Sequence, residues 1–419
     1  MKTVRIVLAA RSLLALALGV PCVSAAQVAT PELKLSEANR LVKDLVSGDE
    51  KKAGAARTRL VAVRPADRPL VFDALESGPP PPKSKQRDKR VVSEIPTPEA
   101  KVSKSPFVLR LPDKGKPPFP VLFRLHGSGD EAEDFDGWAN DSSAFGDFLL
   151  VTPQIPSTER QGWSEPGALE MLDRLYRQIV AQYPVDTDRI YLSGFSAGGG
   201  GSFVFAQTWP HRFAGFYAIG RLWWAWDRLP EASMDVARHV PGFFVVGLDD
   251  KQERIDGFRK AQAYYEKTRL PGEFHFVPGK GHEYLSDFDR PAVAYLTKSR
   301  RVRYPKEFRA LFFFYAGEEA RAKFRDRQYW LEAIDHDFET TAAVRVEGDT
   351  IHVDAPDLEK GAVLVNDRIV DLDRPVKLVR NGELVFEGTV ERSVEFLLDG
   401  FAVDHDPGSL YWNRIPFGE

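Results

Sequence analysis

Ser196 is the residue whose surroundings most clearly suggest chemistry. It is the central residue of Gly194–Gly198, which reads Gly-Phe-Ser-Ala-Gly. The apolar run at residues 189–193 is typical of a short buried strand, and residues 199–206 can begin a helix. A serine on such a sharp strand-to-helix turn projects its hydroxyl out of the sheet, in front of a helix N-terminus. The pattern predicts Ser196 as a nucleophile.

A serine hydroxyl needs a base to remove its proton and an acid to orient that base. Two aspartates, Asp249 and Asp250, follow the apolar strand predicted at residues 242–247. The Gly-x-x-Asp spacing from Gly247 favours Asp250 as the acid and leaves Asp249 as the alternative. The competing interpretation is a pair of solvated loop carboxylates.

His282 is the candidate base because it lies in a glycine-flanked loop just after the strand predicted at residues 273–277. His275 lies inside that strand and is expected to be structural. The other histidines fall at positions predicted to be scaffold, namely His211, His239, His336, His352 and His405. The order Ser196, Asp250, His282 is the chain order that goes with this kind of serine turn.

The negative oxygen of a tetrahedral intermediate requires two backbone N–H donors. The Ala197 N–H, directly after the serine, is the first candidate. The second is expected at the strand-to-loop junction of residues 121–129, where we favour Ser128 over Gly127. His126 is expected to orient this loop.

Aromatic and charged residues after other strands are candidate substrate contacts. Trp163, Arg221, Trp223 and Trp224 lie near predicted strand ends, where they would line an acyl, aromatic or sugar pocket. The alternative is packing of irregular loops for the tryptophans and a structural ion pair for Arg221.

The elements that must position these residues alternate between strands and helices over residues 102–304. An amphipathic helix is predicted at residues 167–182, and strands at 106–111, 120–125, 147–152, 190–193, 213–219, 242–247 and 273–277. This alternation is typical of an α/β domain with a mostly parallel sheet, whose sites gather at the carboxyl ends of the strands.

The segments that flank residues 102–304 have different sequence patterns. Residues 27–78 predict a small helical segment, and residues 79–101, rich in proline and charge, predict a linker. Residues 305–419 predict a small all-β, sandwich-like domain. Within it, Asn381-Gly382 between two apolar runs predicts a two-residue hairpin. The leucines expected to be buried in the helical segment are Leu41, Leu45, Leu60, Leu70 and Leu75.

The amino terminus resembles a secretory signal. Lys2 and Arg5 precede the apolar stretch at residues 12–20, and small residues up to Ala26 offer cleavage points. The stretch is too short for a membrane anchor, which is the alternative. We therefore expect residues 1–26 to be removed and the protein to be secreted or periplasmic.

Composition excludes several classes of function. The chain has 419 residues and a net charge of −4, which favours neither nucleic acid nor an anionic membrane surface. Its single cysteine, Cys22, lies in the segment expected to be removed. A cysteine nucleophile, a thiolate metal site and a disulfide scaffold are thus excluded from the mature chain.

Residues 102–304 resemble secreted α/β-hydrolase esterases of the polyhydroxybutyrate depolymerase, feruloyl esterase and prolyl-oligopeptidase-like types. The matching motifs lie at residues 125–129, 185–199, 247–250 and 281–282. The resemblance covers about half of the chain and leaves the substrate open. Depolymerases of this group often carry paired cysteines, which the mature chain lacks. The resemblance implies covalent catalysis without a cofactor or metal.

The favoured function is a carboxylic-ester hydrolase acting on a small-molecule or polymer-borne ester. A serine peptidase on the same fold is the first alternative, ranked lower because the chain has no large propeller domain to restrict substrate size. A protein without catalysis that binds carbohydrate or a cell surface is the second. The oligomeric state is left open.

Overall fold

The computed structural model describes residues 32–78, 88–98, 100, 102–138, 143–157, 162–163, 166–222, 234–312, 326–336 and 340–418. The predicted signal peptide, Cys22, Trp223 and Trp224 lie outside these ranges. The described α-helices are α1 (Leu35–Leu45), α2 (Glu50–Val61), α3 (Arg68–Glu76), α4 (Ala132–Trp138), α5 (Pro166–Gln182), α6 (Ala197–Thr208), α7 (Gln252–Thr268), α8 (Asp289–Leu296) and α9 (Val394–Asp404). None of these described helices has the length and apolar character needed to cross a bilayer.

The strands form three sheets. The first contains β1 (Arg90–Pro96), β2 (Lys104–Arg110), β3 (Phe119–Leu125), β4 (Leu149–Pro153), β5 (Val185–Phe195), β6 (Gly215–Ile219), β7 (Gly242–Gly247) and β8 (Gly272–Val277). The others contain β9 (Glu307–Phe312), β10 (Asp326–Gln328), β11 (Leu331–His336), β12 (Thr340–Glu347), β13 (Thr350–Asp354), β14 (Leu358–Val365), β15 (Val376–Arg380), β16 (Glu383–Gly388) and β17 (Asn413–Phe417).

The large sheet has the strand order β1-β2-β4-β3-β5-β6-β7-β8. The pairs β1–β2 and β2–β4 are antiparallel, and every other pair in this order is parallel. The mostly parallel sheet predicted for an α/β-hydrolase is therefore confirmed. Its parallel strands bring the carboxyl ends of β3, β5, β7 and β8 to one edge, where a site can form.

Alternating side chains of this sheet fill a core on each face. In β3, Phe123 is buried on one face with Leu172 of α5 and Phe203 of α6. Leu122 is buried on the other face in the cluster that contains Ala292 of α8. Helices thus cover both faces, as the alternation of elements predicted.

The predicted linker at residues 79–101 is wrong in its second half. Residues 90–96 form strand β1, which pairs with β2 from Arg90↔Arg110 to Pro96↔Lys104. This edge strand buries one of its residues fully, Ile95, and leaves the rest partly or wholly exposed. Ser93 and Glu94 interrupt its apolar residues, so no continuous apolar run distinguishes it from a linker. The proline-rich start of the segment lies outside the described residues.

The C-terminal part contains the two smaller sheets, ordered β10-β11-β14-β17 and β16-β15-β13-β12-β9. The predicted hairpin is confirmed: Arg380 pairs with Glu383, and Asn381 and Gly382 have φ values of 50° and 85°. The additional β sheets predicted for the C-terminal part are present, and one helix, α9, lies between β16 and β17. Ser393 caps this helix by accepting the Phe396 N–H.

Helices α1–α3 share one hydrophobic core with the C-terminal sheets. Phe72 of α3 packs against Trp412, with ring centroids 5.3 Å apart. Arg57 of α2 also pairs with Asp399 of α9 at 2.7 Å. The helical segment and the C-terminal domain, predicted as separate units, therefore form one split body, and the α/β domain is inserted between its halves.

A buried ion-pair cluster joins the split body to the α/β domain. The Arg301 side chain is 0% exposed and hydrogen-bonds with both carboxylate oxygens of Asp406, which follows α9. Arg301 and Arg303 also hydrogen-bond with Asp188 of β5. Two carboxylates, those of Asp406 and Asp188, thus pair with a guanidinium that has no access to solvent.

Candidate active site

Ser196 occupies a strained turn between β5 and α6. Its φ of 55° and ψ of −119° lie where a residue other than glycine is rarely found. The glycines two residues before and after Ser196 are required for steric reasons. A Cβ on Gly194 would overlap the Gly198 carbonyl, and one on Gly198 would overlap the Leu125 carbonyl. The Ser196 N–H donates to the Ile219 carbonyl at 2.9 Å, which ties the turn to β6.

The structure brings Ser196, His282 and Asp250 together. His282 Nε2 lies 2.8 Å from Ser196 Oγ, and His282 Nδ1 lies 2.7 Å from Asp250 Oδ2. The carboxylate is an acceptor, so Nδ1 carries the proton, and Nε2 is then free to accept one from the serine. The alternative acid, Asp249, is exposed, and its N–H donates to the Lys280 carbonyl.

The Asp250 carboxylate is nearly buried, with 1% of its side chain exposed. Its second oxygen, Oδ1, accepts hydrogen bonds from Arg254 Nη1 and from the Lys251 N–H, each at 2.7 Å. Desolvation would raise the pKa of Asp250, but the hydrogen bonds from Arg254 and His282 outweigh it and the pKa lies below its usual value. Asp250 is therefore held in its charged form.

Sequence reasoning missed Arg254. It lies four residues after Asp250, in the first turn of α7, and its side chain reaches back to the carboxylate. The i,i+4 spacing of opposite charges was a visible signal.

His282 lies in the loop after β8 and keeps 27% of its side chain exposed. Its imidazole packs against the ring of Phe195, with centroids 5.1 Å apart and planes inclined by 31°. The loop that carries Asp250 is joined to the loop of His282, because the Leu248 N–H donates to the Val277 carbonyl at 2.9 Å. Acid and base thus sit on two loops that are fixed to each other.

The loop after β3 lies beside the nucleophile. Gly127 is so close to Ser196 that a Cβ built on it would lie 3.7 Å from the serine Cβ. However, the Gly127 N–H already donates to Asp130 Oδ2 at 3.2 Å. This leaves Ser128 as the better candidate donor on this loop. The Ala197 N–H, the first of α6, has no acceptor within its helix.

His126 orients this loop from a fully buried position. Its Nε2 accepts the Ile155 N–H at 3.1 Å, so the proton lies on Nδ1, which donates to the Gly127 carbonyl at 2.7 Å. In a trans peptide the carbonyl and the following N–H point in opposite directions. The Ser128 N–H is therefore directed away from His126.

No model of a known protein family matches the chain. Poly(3-hydroxyalkanoate) depolymerase C of Paucimonas lemoignei is 30% identical over 112 residues, which are 23% of this chain and 26% of that protein. The alignment therefore spans about a quarter of the length of this curated relative.

Among solved structures, a ferulic acid esterase is 19% identical with a TM-score of 0.41, covering 50% of this chain and 98% of its own. A thermostable esterase is 19% identical with a TM-score of 0.44, covering 51% and 64%. An S-formylglutathione hydrolase from Agrobacterium tumefaciens is 16% identical with a TM-score of 0.43, covering 52% and 98%.

The strand order of the large sheet, together with the serine turn between β5 and α6, decides the fold. The chain contains an α/β-hydrolase domain. It resembles esterases of the polyhydroxyalkanoate depolymerase type.

Trp163 of the α/β-hydrolase domain does not have the predicted role in substrate binding. Its side chain is completely buried, and its Nε1 donates to the His126 carbonyl at 2.9 Å. The indole also packs closely on α6, where a Cβ on Gly201 would lie 2.7 Å from the Trp163 Cβ. Trp163 therefore supports the loop that carries Ser128 and has no surface left for a ligand.

The other predicted substrate contacts have different outcomes. Arg221 is partly buried and lies just beyond β6, at the same sheet edge as Ser196. Trp223 and Trp224 lie outside the described residues. Within the described ranges, the α/β-hydrolase chain has no group of three or more His, Cys, Asp or Glu side chains placed to hold a metal ion.

Proposed function

We propose that the protein is a serine hydrolase that cleaves carboxylic esters. The observation that carries this proposal is the continuous hydrogen-bonded array from Ser196 Oγ through His282 to Asp250, with distances of 2.8 and 2.7 Å. A buried carboxylate, an imidazole of fixed tautomer and a partly exposed serine hydroxyl are the parts that acyl transfer requires.

In the first half of the reaction, Ser196 Oγ attacks the ester carbonyl carbon while His282 Nε2 takes the hydroxyl proton. Asp250 stabilises the imidazolium that forms. The N–H groups of Ser128 and Ala197 are the proposed donors to the negative oxygen of the tetrahedral intermediate. His282 then returns the proton to the departing alcohol oxygen as the carbon–oxygen bond breaks, which leaves an acyl group on Ser196.

In the second half, a water molecule attacks the acyl carbon and His282 takes its proton. The second tetrahedral intermediate collapses, the proton passes to Ser196 Oγ, and the carboxylic acid is released. The chain's own residues perform every proton transfer in this scheme.

Hydroxyalkanoate esters are the first substrates to examine, because the curated relative over part of this chain is a poly(3-hydroxyalkanoate) depolymerase. A panel of acetyl, feruloyl, 3-hydroxybutyrate oligomer and peptide substrates would separate the ester classes from a peptidase. We expect ester cleavage to exceed peptide cleavage. Faster turnover of the peptides would reject the esterase proposal in favour of the peptidase.

Ser196→Ala tests the nucleophile. The variant should fold as the wild type, judged by circular dichroism and melting temperature, and should lose hydrolysis of a short-chain nitrophenyl ester. A fluorophosphonate should label wild type on the peptide that contains Ser196 and should not label the variant. Turnover by the variant, or labelling of another serine, would overturn the assignment.

We also propose that residues 1–26 direct export and are then removed. The charged start, the short apolar stretch and the small residues before Gln27 support this. Sequencing the amino terminus of protein recovered from the periplasm or the medium tests it, since an intact Met1 would contradict removal.

A further inference from the structure

A buried polar cluster lies beneath the loop that carries His282. We call it the Tyr284 cluster, and it consists of Arg124 from β3, Tyr217 from β6, Tyr284 from the loop and Asp289 at the start of α8. Arg124, Tyr217 and Asp289 are buried and Tyr284 is partly buried. None of these side chains performs a step in the proposed mechanism.

One hydrogen bond ties the histidine loop to α8. Tyr284 Oη donates to Asp289 Oδ1 at 2.9 Å. The Arg124 guanidinium, which lies over the rings of Phe135 and Phe145, provides the opposite charge to this carboxylate. A buried carboxylate without such partners would be costly, which makes this bond an anchor for the loop.

The ring of Tyr284 reaches the reacting groups through one intermediate side chain. It packs edge-on against Phe195, with centroids 6.1 Å apart and planes at 82°. Phe195 in turn packs against the imidazole of His282. Asp289 is thus connected to His282 by two routes, along the short loop and across the Phe195 ring.

We propose that Tyr284 and Asp289 are positioning residues for His282. Their hydrogen bond fixes the loop and the Phe195 ring so that His282 Nε2 remains within reach of Ser196 Oγ. This inference rests on the proposed function. It assigns a catalytic consequence to two side chains that do not touch the reacting atoms.

The cluster also makes the anchor sensitive to acid. Desolvation raises the pKa of Asp289 to about 6, although the hydrogen bond from Tyr284 and the charge of Arg124 act in the opposite direction. Asp287, on the turn before α8, adds to the increase. As the pH falls through about 6, Asp289 becomes neutral and accepts the Tyr284 proton less strongly.

Tyr284→Phe tests the anchor because it keeps the ring and removes only the hydroxyl. We expect kcat for a nitrophenyl ester to fall about tenfold at pH 8, with KM changed by less than about twofold. Tyr265→Phe is the matched control, since its buried Oη has no hydrogen-bond partner among the described residues. Equal kcat values for the two variants would overturn the proposal.

Asp289→Asn tests the acid sensitivity without removing the acceptor for Tyr284. The wild type should lose kcat as the pH falls through about 6, where Asp289 becomes protonated. The variant has a neutral acceptor at every pH, so its kcat at pH 8 should already be reduced, and its acid-side slope near pH 6 should be shallower than that of the wild type. An unchanged slope would overturn the proposal, and this result is decisive even if Tyr284→Phe fails to fold. By contrast, absence of ester turnover and fluorophosphonate labelling in wild type would reject the proposed function itself.

Discussion

Arg254 and His282 bind opposite oxygens of the same carboxylate. Arg254 Nη1 donates to Asp250 Oδ1 and His282 Nδ1 to Oδ2, each at 2.7 Å. The Arg254 contact keeps the carboxylate charged and fixed in place, and the His282 contact orients the imidazole. The Asp250 carboxylate therefore has two side-chain partners, Arg254 on one oxygen and His282 on the other.

Replacing Asp250 should be far more damaging than replacing Asp249. Asp250→Asn should lower kcat about 1000-fold or more, because an amide does not fix the imidazole tautomer or stabilise its positive form. Asp249→Asn removes the same charge from the neighbouring, exposed position and should stay within about twofold of wild type. Nitrophenyl ester kinetics measure both, and the reverse ranking would move the acid to Asp249.

Replacing Arg254 should weaken catalysis through Asp250. Arg254→Gln should lower kcat about three- to tenfold with little change in KM, because the carboxylate loses its second charged partner and its pKa rises. Activity should then disappear at a higher pH than in wild type. Arg259→Gln on the same helix is the control, because that side chain is 56% exposed and pairs only with Asp256 among the described residues. Identical pH profiles for the two variants would contradict a role for Arg254.

Asp130 should support catalysis by accepting the hydrogen bond from the Gly127 N–H, beside Ser196. Desolvation raises the pKa of Asp130 against the effect of that hydrogen bond. Asp130→Asn keeps an acceptor and should retain kcat within about threefold, whereas Asp130→Ala should lose about tenfold. Asp134→Asn on α4 controls for the loss of charge alone. If the Asn and Ala variants lose activity equally, the charge of Asp130 is what counts and not its hydrogen bond.

Asp406 should contribute to stability above pH 4. Burial alone would raise its pKa, but Arg301 lowers it to about 2, below the value of about 4 in an unfolded chain. A depressed pKa means that the contribution is complete above about pH 4 and is lost as the pH falls toward 2. Urea unfolding measured from pH 3 to pH 7 should show this loss.

The matched variants are Asp406→Asn and Asp399→Asn. The first leaves Arg301 buried with one fewer partner and should cost about 3–5 kcal/mol at pH 7. The second removes a carboxylate that is 64% exposed and should cost at most about 1 kcal/mol. Similar unfolding free energies for the two variants would show that the buried pair is not stabilising.

The sequence predicted those parts of the site that follow from local pattern. The turn at Ser196 needs glycines two residues away on either side. The strand that leads to Asp250 is an apolar run, and the strand that leads to His282 alternates apolar and polar residues. Each of these signals is local, because the residues that form it lie within about ten residues of one another. The hairpin at Asn381-Gly382 was predictable for the same reason, since both residues adopt positive φ.

What the sequence did not reveal depends on contacts between distant segments. A tryptophan near a strand end has the same local pattern whether it lines a cleft or, like Trp163, supports a loop from beneath. Strand β1 is recognisable only beside β2, because Ser93 and Glu94 interrupt its apolar residues. The partner of helices α1–α3 lies more than 200 residues further along the chain.

The split body has a consequence for how the chain folds during synthesis. Helices α1–α3 leave the ribosome before the α/β-hydrolase domain, but the surface that covers Phe72 includes Trp412, which is made 340 residues later. The α/β-hydrolase domain can therefore form its own core while the earliest helices still expose their apolar faces. In a truncated chain those apolar faces would remain exposed to chaperones and proteases. Only a chain synthesised through β17 can complete the core that covers them.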